Sequence, residues 1–164
     1  MAIPRHEEHA FPAAPDANEV SFYKYQGRWH GLASWIFSTD HKKIGLMYLT
    51  LMLIYFTVGM SLGFMIRLEL FEPGGQFISA QTYNSLFTLH GVIMIFLFVI
   101  PGLSASLGNF MLPIMIGAKD VAFPRLNRAS WYLFMTGGAL MLIGTLNGGV
   151  DTGWTFYPPY STSY

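Results

Sequence analysis

One histidine of this sequence lies where an imidazole needs a partner. His90 falls within residues 73–118, which contain no Asp, Glu, Lys or Arg. Burying a polar group without a hydrogen bond costs about 2–7 kcal/mol, so the ring must be satisfied by a neighbour. That neighbour is either a backbone carbonyl, as for a packed core histidine, or a metal that takes the ring lone pair. Haem iron is the commonest such metal inside a helical membrane bundle.

The composition indicates a membrane protein. The chain is 52% hydrophobic and 16% aromatic, with only 11% charged residues, and its mean hydropathy is +0.40. Soluble domains are far more polar than this. Because the sequence has no cysteine, it can form no disulfide, thiolate metal site or covalent haem attachment. The net charge of zero gives no indication of a nucleic-acid partner.

Three apolar runs predict an all-α membrane fold with three transmembrane helices. A helix needs about 20 residues to cross the hydrocarbon core, and the runs at residues 44–66, 83–117 and 129–150 are long enough. Residues 1–40, with scattered prolines and charges, predict a cytoplasmic and interfacial N-terminal segment. Residues 41–164 then form the membrane domain.

Local signals refine these helices. Ser38, Thr39 and Asp40 form a plausible N-cap for the first helix, and Pro101 predicts a kink in the second because proline removes a backbone bond. Two pairs of glycines four residues apart offer close-packing faces, although such pairs are weak motifs: Gly59 with Gly63, and Gly144 with Gly148.

The basic residues predict the orientation of the chain. Lys and Arg concentrate before the first span and between the second and third, whereas Arg67 alone lies between the first and second. The positive-inside rule therefore puts the N-terminus inside. Arg67, the Pro73–Gly74 loop, His90 and Trp154 should then lie near the outer leaflet. Asp120 and Asn127 should lie on the inner face.

Several motifs resemble subunit I of the haem-copper oxidases, the respiratory enzymes that reduce oxygen to water. The likeness is to the A-type, aa3-like cytochrome c oxidases. It runs in order through five segments: Asp40–Gly45, Ile66–Leu70, Thr88–Phe96, Ile116–Asn127 and Asp151–Pro159. The resemblance implies the N-terminal portion of a bundle of about a dozen helices. The chain is accordingly either a piece of a longer subunit I or part of a subunit split across chains.

The resemblance also implies a haem site. His90 would be one axial ligand of the low-spin haem, haem a, and Arg67 would bond the haem formyl group, where the alternative is a side chain that snorkels to water. Trp154 and Tyr157 would lie beside the haem propionates, although an aromatic membrane belt explains them nearly as well. The second ligand, the high-spin haem and CuB are expected from the rest of subunit I, so no catalytic residue is assigned here.

A proton pathway is the second implication of the resemblance. Asp120 would form its mouth on the inner face, with Asn109 and Asn127 ordering waters by donating and accepting hydrogen bonds. Tyr48 would join the same path. The alternative for Asp120 is a solvated loop acid. The other four histidines lie outside the spans and are assigned no ligation, as solvent or interface groups: His6, His9, His30 and His41.

An outer cation site is the third implication. Glu69, Glu72 and Gly74 match only part of the family's calcium or sodium site, which is built from carboxylate and backbone oxygens. A solvated acidic loop is about as good an explanation for these residues.

The electron donor separates the two main oxidase types. At the positions that carry a polar quinol site in related quinol oxidases, this chain has Val58, Leu62, Thr82 and Ser85. This pattern favours cytochrome c as the donor, with a copper-bearing subunit II (CuA) and subunit III as partners in a bacterial plasma membrane ahead of a mitochondrial inner membrane. The alternatives are a quinol oxidase, a non-catalytic assembly subunit or a small b-type cytochrome.

Overall fold

The computed structural model describes residues 30–74, 77–147 and 152–158, and within these ranges it contains helices and no strand. A short helix precedes three long ones, in the order α1 Leu32–Ile36, α2 His41–Glu69, α3 Ala80–Met115 and α4 Pro124–Leu146. The prediction of an all-α fold is confirmed.

Side-chain caps explain where two of the long helices begin. Asp40 accepts a hydrogen bond from the backbone N–H of Lys42 at 2.9 Å at the start of α2, as the sequence predicts. Ser79 accepts from the backbone N–H of Thr82 at 3.2 Å at the start of α3. Each cap satisfies a backbone donor that has no partner within its helix.

The third long helix begins earlier than its apolar run. α4 starts at Pro124, whose fixed φ suits the first helical position, and not near residue 129. Arg125 and Arg128 therefore lie in its first turns, ahead of the apolar run. An apolar run reports the part of a helix that lies in hydrocarbon, whereas the helix itself continues into water.

Length and composition make two of the described helices suitable for crossing a bilayer. They are α2 with 29 residues and α3 with 36. α3 continues through Pro101, which is flanked by the wider π-helical stretches Ile93–Val99 and Gly102–Leu107. α4 has 23 described residues. The predicted third span, residues 129–150, continues past the end of α4. Its last residues, including Gly148, lie outside the described ranges.

Glycines on the helix surfaces allow the three long helices to approach closely. A Cβ built on Gly59 would lie 2.7 Å from the sulfur of Met94, so this side chain of α3 packs directly on the backbone of α2. Between α2 and α4, the rings of Tyr55 and Phe134 pack edge to face with centroids 5.8 Å apart, over the bare backbone of Gly138. The close-packing role predicted for Gly59 is thus observed.

The chain runs up, down and up, so its polar residues gather at two opposite ends. One end, the His90 end, holds the last turn of α2, the first half of α3 and residues 152–158, because the backbone N–H of Gly153 donates to Thr88 Oγ1 at 2.8 Å. The other end, the Asp120 end, holds α1, the start of α2 and the loop between α3 and α4. The predicted clustering is observed, while the side of the membrane that each end faces stays a prediction.

Candidate functional site

The His90 imidazole is held by the backbone of α2. Its Nδ1 donates to the carbonyl oxygen of Gly59 at 2.8 Å. Because a carbonyl can only accept, this bond places the proton on Nδ1 and leaves the lone pair on Nε2. A ring fixed in this tautomer is suited to ligate a metal through Nε2, since metal-bound histidines usually donate their other ring N–H to such an oxygen.

The same ring lies flat against a second glycine of α2. A Cβ built on Gly63 would lie 2.9 Å from Cε1 of His90 and 3.2 Å from its Nδ1. Gly59 and Gly63 are four residues apart, so they occupy nearly the same face of the helix. Two glycines of α2 therefore contact the part-buried imidazole, Gly59 through its carbonyl oxygen and Gly63 through its bare Cα.

Arg67 continues this face of α2. It lies one turn beyond Gly63, about 6 Å further along the helix axis, in the last turn of α2, and its side chain is exposed. A cation in the last turn also complements the negative end of the helix dipole. Arg67 is therefore on the His90 side of α2, with its side chain exposed.

Trp154 and Tyr157 behave differently from each other. The indole of Trp154 packs on α3, where a Cβ built on Gly91 would lie 3.2 Å from its Cδ1, and its ring stands edge to face with Phe96 at 6.1 Å. Tyr157 is 72% exposed. The structure thus brings Trp154 next to the helix turn that carries His90, and leaves Tyr157 on the surface.

The loop between α2 and α3 is closed by Glu69. Its carboxylate is buried, and Oε2 accepts from the backbone N–H groups of Phe77 at 2.9 Å and Ile78 at 3.2 Å. Glu72 and Gly74 line an open pocket of about 550 Å³ beside it. The described residues contain no group of three or more His or carboxylate side chains arranged for a metal. Glu69 therefore has a structural role, in closing the loop, that needs no cation.

At the Asp120 end, two asparagines bind each other. Asn127 Nδ2 donates to Asn109 Oδ1 at 2.5 Å, and Asn109 Nδ2 donates back to Asn127 Oδ1 at 3.3 Å. Asn109 is 6% exposed. Beside this pair lies an open pocket of about 450 Å³, which also reaches Val121, the residue after Asp120. The pocket has polar partners and room for several waters.

Tyr48 joins these asparagines through Ser130. The Ser130 hydroxyl donates to the backbone oxygen of Asn127 at 2.7 Å, so it accepts from the Tyr48 hydroxyl at 2.8 Å. Tyr48, Asn109 and Asn127, from three helices, are thus linked by hydrogen bonds that pass through the Ser130 hydroxyl and the backbone oxygen of Asn127.

The position of His41 differs from the expectation that it is a solvent or interface group. Its side chain is only 8% exposed, and its Nδ1 donates to Asp120 Oδ1 at 2.8 Å. The same carboxylate oxygen accepts from the backbone N–H of Val121 at 2.7 Å. Asp120 is 47% exposed. It is therefore a half-exposed acid held in place by the first residue of α2, and the expectation of a solvent-exposed His41 is wrong.

Sequence reasoning missed four groups that complete these sites: the Gly59 carbonyl, Gly63, His41 and Ser130. Weak signals existed for each. The glycine spacing suggested close packing, Ser130 lies three residues after Asn127 and so shares its helix face, and His41 lies within the Asp40–Gly45 motif. None of these signals names the partner, because each partner is distant in the chain.

Comparisons with known proteins bear on what these sites do. Residues 43–164 match the family described as cytochrome c and quinol oxidase polypeptide I. A cytochrome c oxidase subunit 1 of Thermostichus vulcanus is 41% identical over 143 residues, which cover 87% of this chain and 26% of that protein. The Corynebacterium efficiens protein of that name is 43% identical over 137 residues, covering 81% and 23%.

A third relative aligns with almost the whole chain. The cytochrome c oxidase subunit 1 of Corynebacterium diphtheriae is 41% identical over 164 residues, which cover 98% of this chain and 28% of that protein. The chain thus spans about a quarter of the length of these curated relatives. With a family match over residues 43–164 and an apolar helical fold, this chain belongs to the haem-copper oxidase subunit I family.

Proposed function

We propose that this chain supplies one haem ligand and the proton-uptake end of a terminal oxidase that reduces oxygen to water with electrons from cytochrome c and pumps protons. The observation that carries this proposal is the hydrogen bond from His90 Nδ1 to the Gly59 carbonyl. That bond presents an unprotonated Nε2 within an apolar helix pair. A low-spin haem, haem a, is the cofactor that this donor fits in the family.

Haem supplies one-electron chemistry when bound, and the residues at the His90 end would orient it and set its potential. His90 would bind the haem iron through Nε2. Arg67, one turn beyond Gly63, adds a permanent positive charge that favours the more electron-rich form. Trp154 shields the α3 side of the same region from water. A second iron ligand, the high-spin haem and CuB would be supplied by the rest of subunit I.

At the Asp120 end the residues collect and order protons. Asp120 is half exposed and can exchange protons with water. The hydrogen bond from His41 holds the Asp120 carboxylate beside the start of α2. The Asn109 and Asn127 amides and the Tyr48 and Ser130 hydroxyls both donate and accept, so they can hold waters without trapping a charge. This arrangement supports the proposal that the Asp120 end faces the cytoplasm.

Cytochrome c is the donor that the relatives support, because the curated proteins are named cytochrome c oxidases. The quinol positions Val58, Leu62, Thr82 and Ser85 carry no charged side chain. The proposed partners are the rest of subunit I, a CuA-bearing subunit II and subunit III in a bacterial plasma membrane. Purified complex that oxidises reduced cytochrome c and not quinol supports this donor, and the reverse preference contradicts it.

Replacing His90 tests the haem assignment. In the full-length subunit, His90→Leu should remove the low-spin haem band from the reduced-minus-oxidised spectrum and abolish oxygen reduction, because leucine has no lone pair. His30→Leu is the matched control, since His30 is exposed ahead of α1. A complex that assembles with His90→Leu and keeps its low-spin haem contradicts the assignment.

A further inference from the structure

The contact between Gly63 and His90 is closer than a side chain permits. A Cβ on Gly63 would lie 2.9 Å from Cε1, 3.2 Å from Nδ1 and 3.5 Å from Nε2 of the imidazole. Real Cβ atoms essentially never come within 3.0 Å of such a neighbour. The distances to the two nitrogens are only slightly longer than the distance to Cε1, which lies between them. An added methyl group would therefore press on the face of the ring and not on its edge.

The ring cannot avoid such a methyl group by a small sideways movement. Its Nδ1 is bonded to the Gly59 carbonyl one turn away, on the same face of α2. On the α3 side its own helix continues into Ile93, which is fully buried. Turning the imidazole away from residue 63 therefore lengthens or bends the Nδ1–H···O bond.

We infer that Gly63 is a positioning residue for the imidazole of His90. Its lack of a side chain sets the plane of the ring and preserves the bond to the Gly59 carbonyl. That bond gives the imidazole electron density, which strengthens Nε2 as a donor. The inference rests on the proposed ligation of haem by His90, because the direction and basicity of Nε2 matter only for a bound group.

The test is Gly63→Ala in the full-length subunit, within the oxidase purified from membranes. We expect low-spin haem to be retained, with a shifted EPR signal in the oxidised state and a raised midpoint potential. The potential rises because a weaker Nδ1–H···O bond leaves the ligand less electron-rich and stabilises the ferric state less. A residue that served packing alone would not move these readouts.

Gly45→Ala is the matched control. Gly45 lies on the same helix, is buried and is nearly as tight, since its Cβ would lie 3.0 Å from the Phe110 ring and 3.2 Å from the Cβ of Asn109, but it lies about four turns before Gly59. It should leave the EPR signal and the potential unchanged. Gly63→Ala could also give a complex without low-spin haem while Gly45→Ala keeps it. That result supports the inference too, because a side chain at residue 63 would then have prevented the imidazole from binding.

Two results overturn the inference. One is an unshifted EPR signal and potential in Gly63→Ala, and the other is an equal shift or an equal loss of haem in Gly45→Ala. The His90→Leu variant separates this failure from that of the proposed function. If His90→Leu loses the low-spin haem while Gly63→Ala is unshifted, only the positioning role is wrong. If His90→Leu keeps the haem, the proposed ligation itself is wrong.

Discussion

The two ends of this helix bundle satisfy their polar groups in opposite ways. At the His90 end, one imidazole binds a backbone carbonyl and lies against glycine, with no polar side chain bonded to it in the part of the chain that the structure describes. At the Asp120 end, side chains from α2, α3, α4 and the intervening loop bind one another, through the Asn109–Asn127 pair and the His41–Asp120 pair.

This difference indicates what each end can do. A carbonyl within a helix cannot rotate, so a ring bonded to it keeps one orientation, which suits a ligand to a fixed group. Amides, hydroxyls and a half-exposed carboxylate can exchange one partner for another or for water at little cost, since the net free energy of such a hydrogen bond is about 0.5–1.5 kcal/mol. That property suits a path along which protons move.

The largest effect that separates the two ends is expected from Asp120→Asn. We predict that turnover slows by at least about tenfold and that pumping is lost, because a positioned proton-transfer group contributes about 10²–10⁴-fold. The low-spin haem spectrum should stay unchanged, because His90 lies at the opposite end. Oxygen consumption measures turnover, and proton release by the enzyme in vesicles measures pumping. Full proton stoichiometry in this variant would remove the assignment of Asp120.

Arg67→Leu tests the opposite end. We predict a shifted low-spin haem band and a lowered midpoint potential, because a lost charge-assisted hydrogen bond is worth about 1.5–3 kcal/mol. Turnover should fall only by the amount that the lowered midpoint potential of the low-spin haem accounts for. Arg125→Leu, in the exposed first turn of α4, is the control and should leave the spectrum unaltered. An unchanged spectrum in Arg67→Leu would mean that this side chain only reaches to water.

The smallest effect is expected from His41→Ala, which frees Asp120 from its partner. Because Asp120 is half exposed, the pair is worth about 0.2–1 kcal/mol, so proton uptake should slow by about fivefold at most. The haem spectrum and the assembly of the complex should not change. His30→Ala serves as the control. Uptake slowed as strongly as in Asp120→Asn would show that His41 itself carries the proton, and the comparison would need revision.

The sequence alone predicts the membrane helices well because hydrocarbon imposes a length. The apolar run at 44–66 lies within α2, and the run at 83–117 lies almost wholly within α3. Asp40 caps the start of α2, as the sequence predicts. The ends outside hydrocarbon are less constrained. α4 begins at Pro124, within polar sequence. Only the preference of proline for the first position of a helix indicates this start.

Side-chain pairing was harder to predict. The opposite ends of the bundle followed from the charge pattern, whereas the grouping of Tyr48 with Asn109 and Asn127 was an implication of the family resemblance. The pairing of His41 with Asp120 joins residues 79 positions apart through a loop whose path no periodicity specifies. The Gly59 carbonyl is a backbone group, present at every residue, so no residue type marks it in advance.

The most direct test of the central claim is a spectrum of the native complex that contains this sequence. The complex should be purified from its membrane, its subunits identified by denaturing mass spectrometry, and its reduced-minus-oxidised spectrum recorded. We predict an a-type low-spin haem band in a complex whose subunit I carries this sequence. A complex that contains the sequence but no haem would contradict the claim, and would leave His90 as a packed histidine bonded to Gly59.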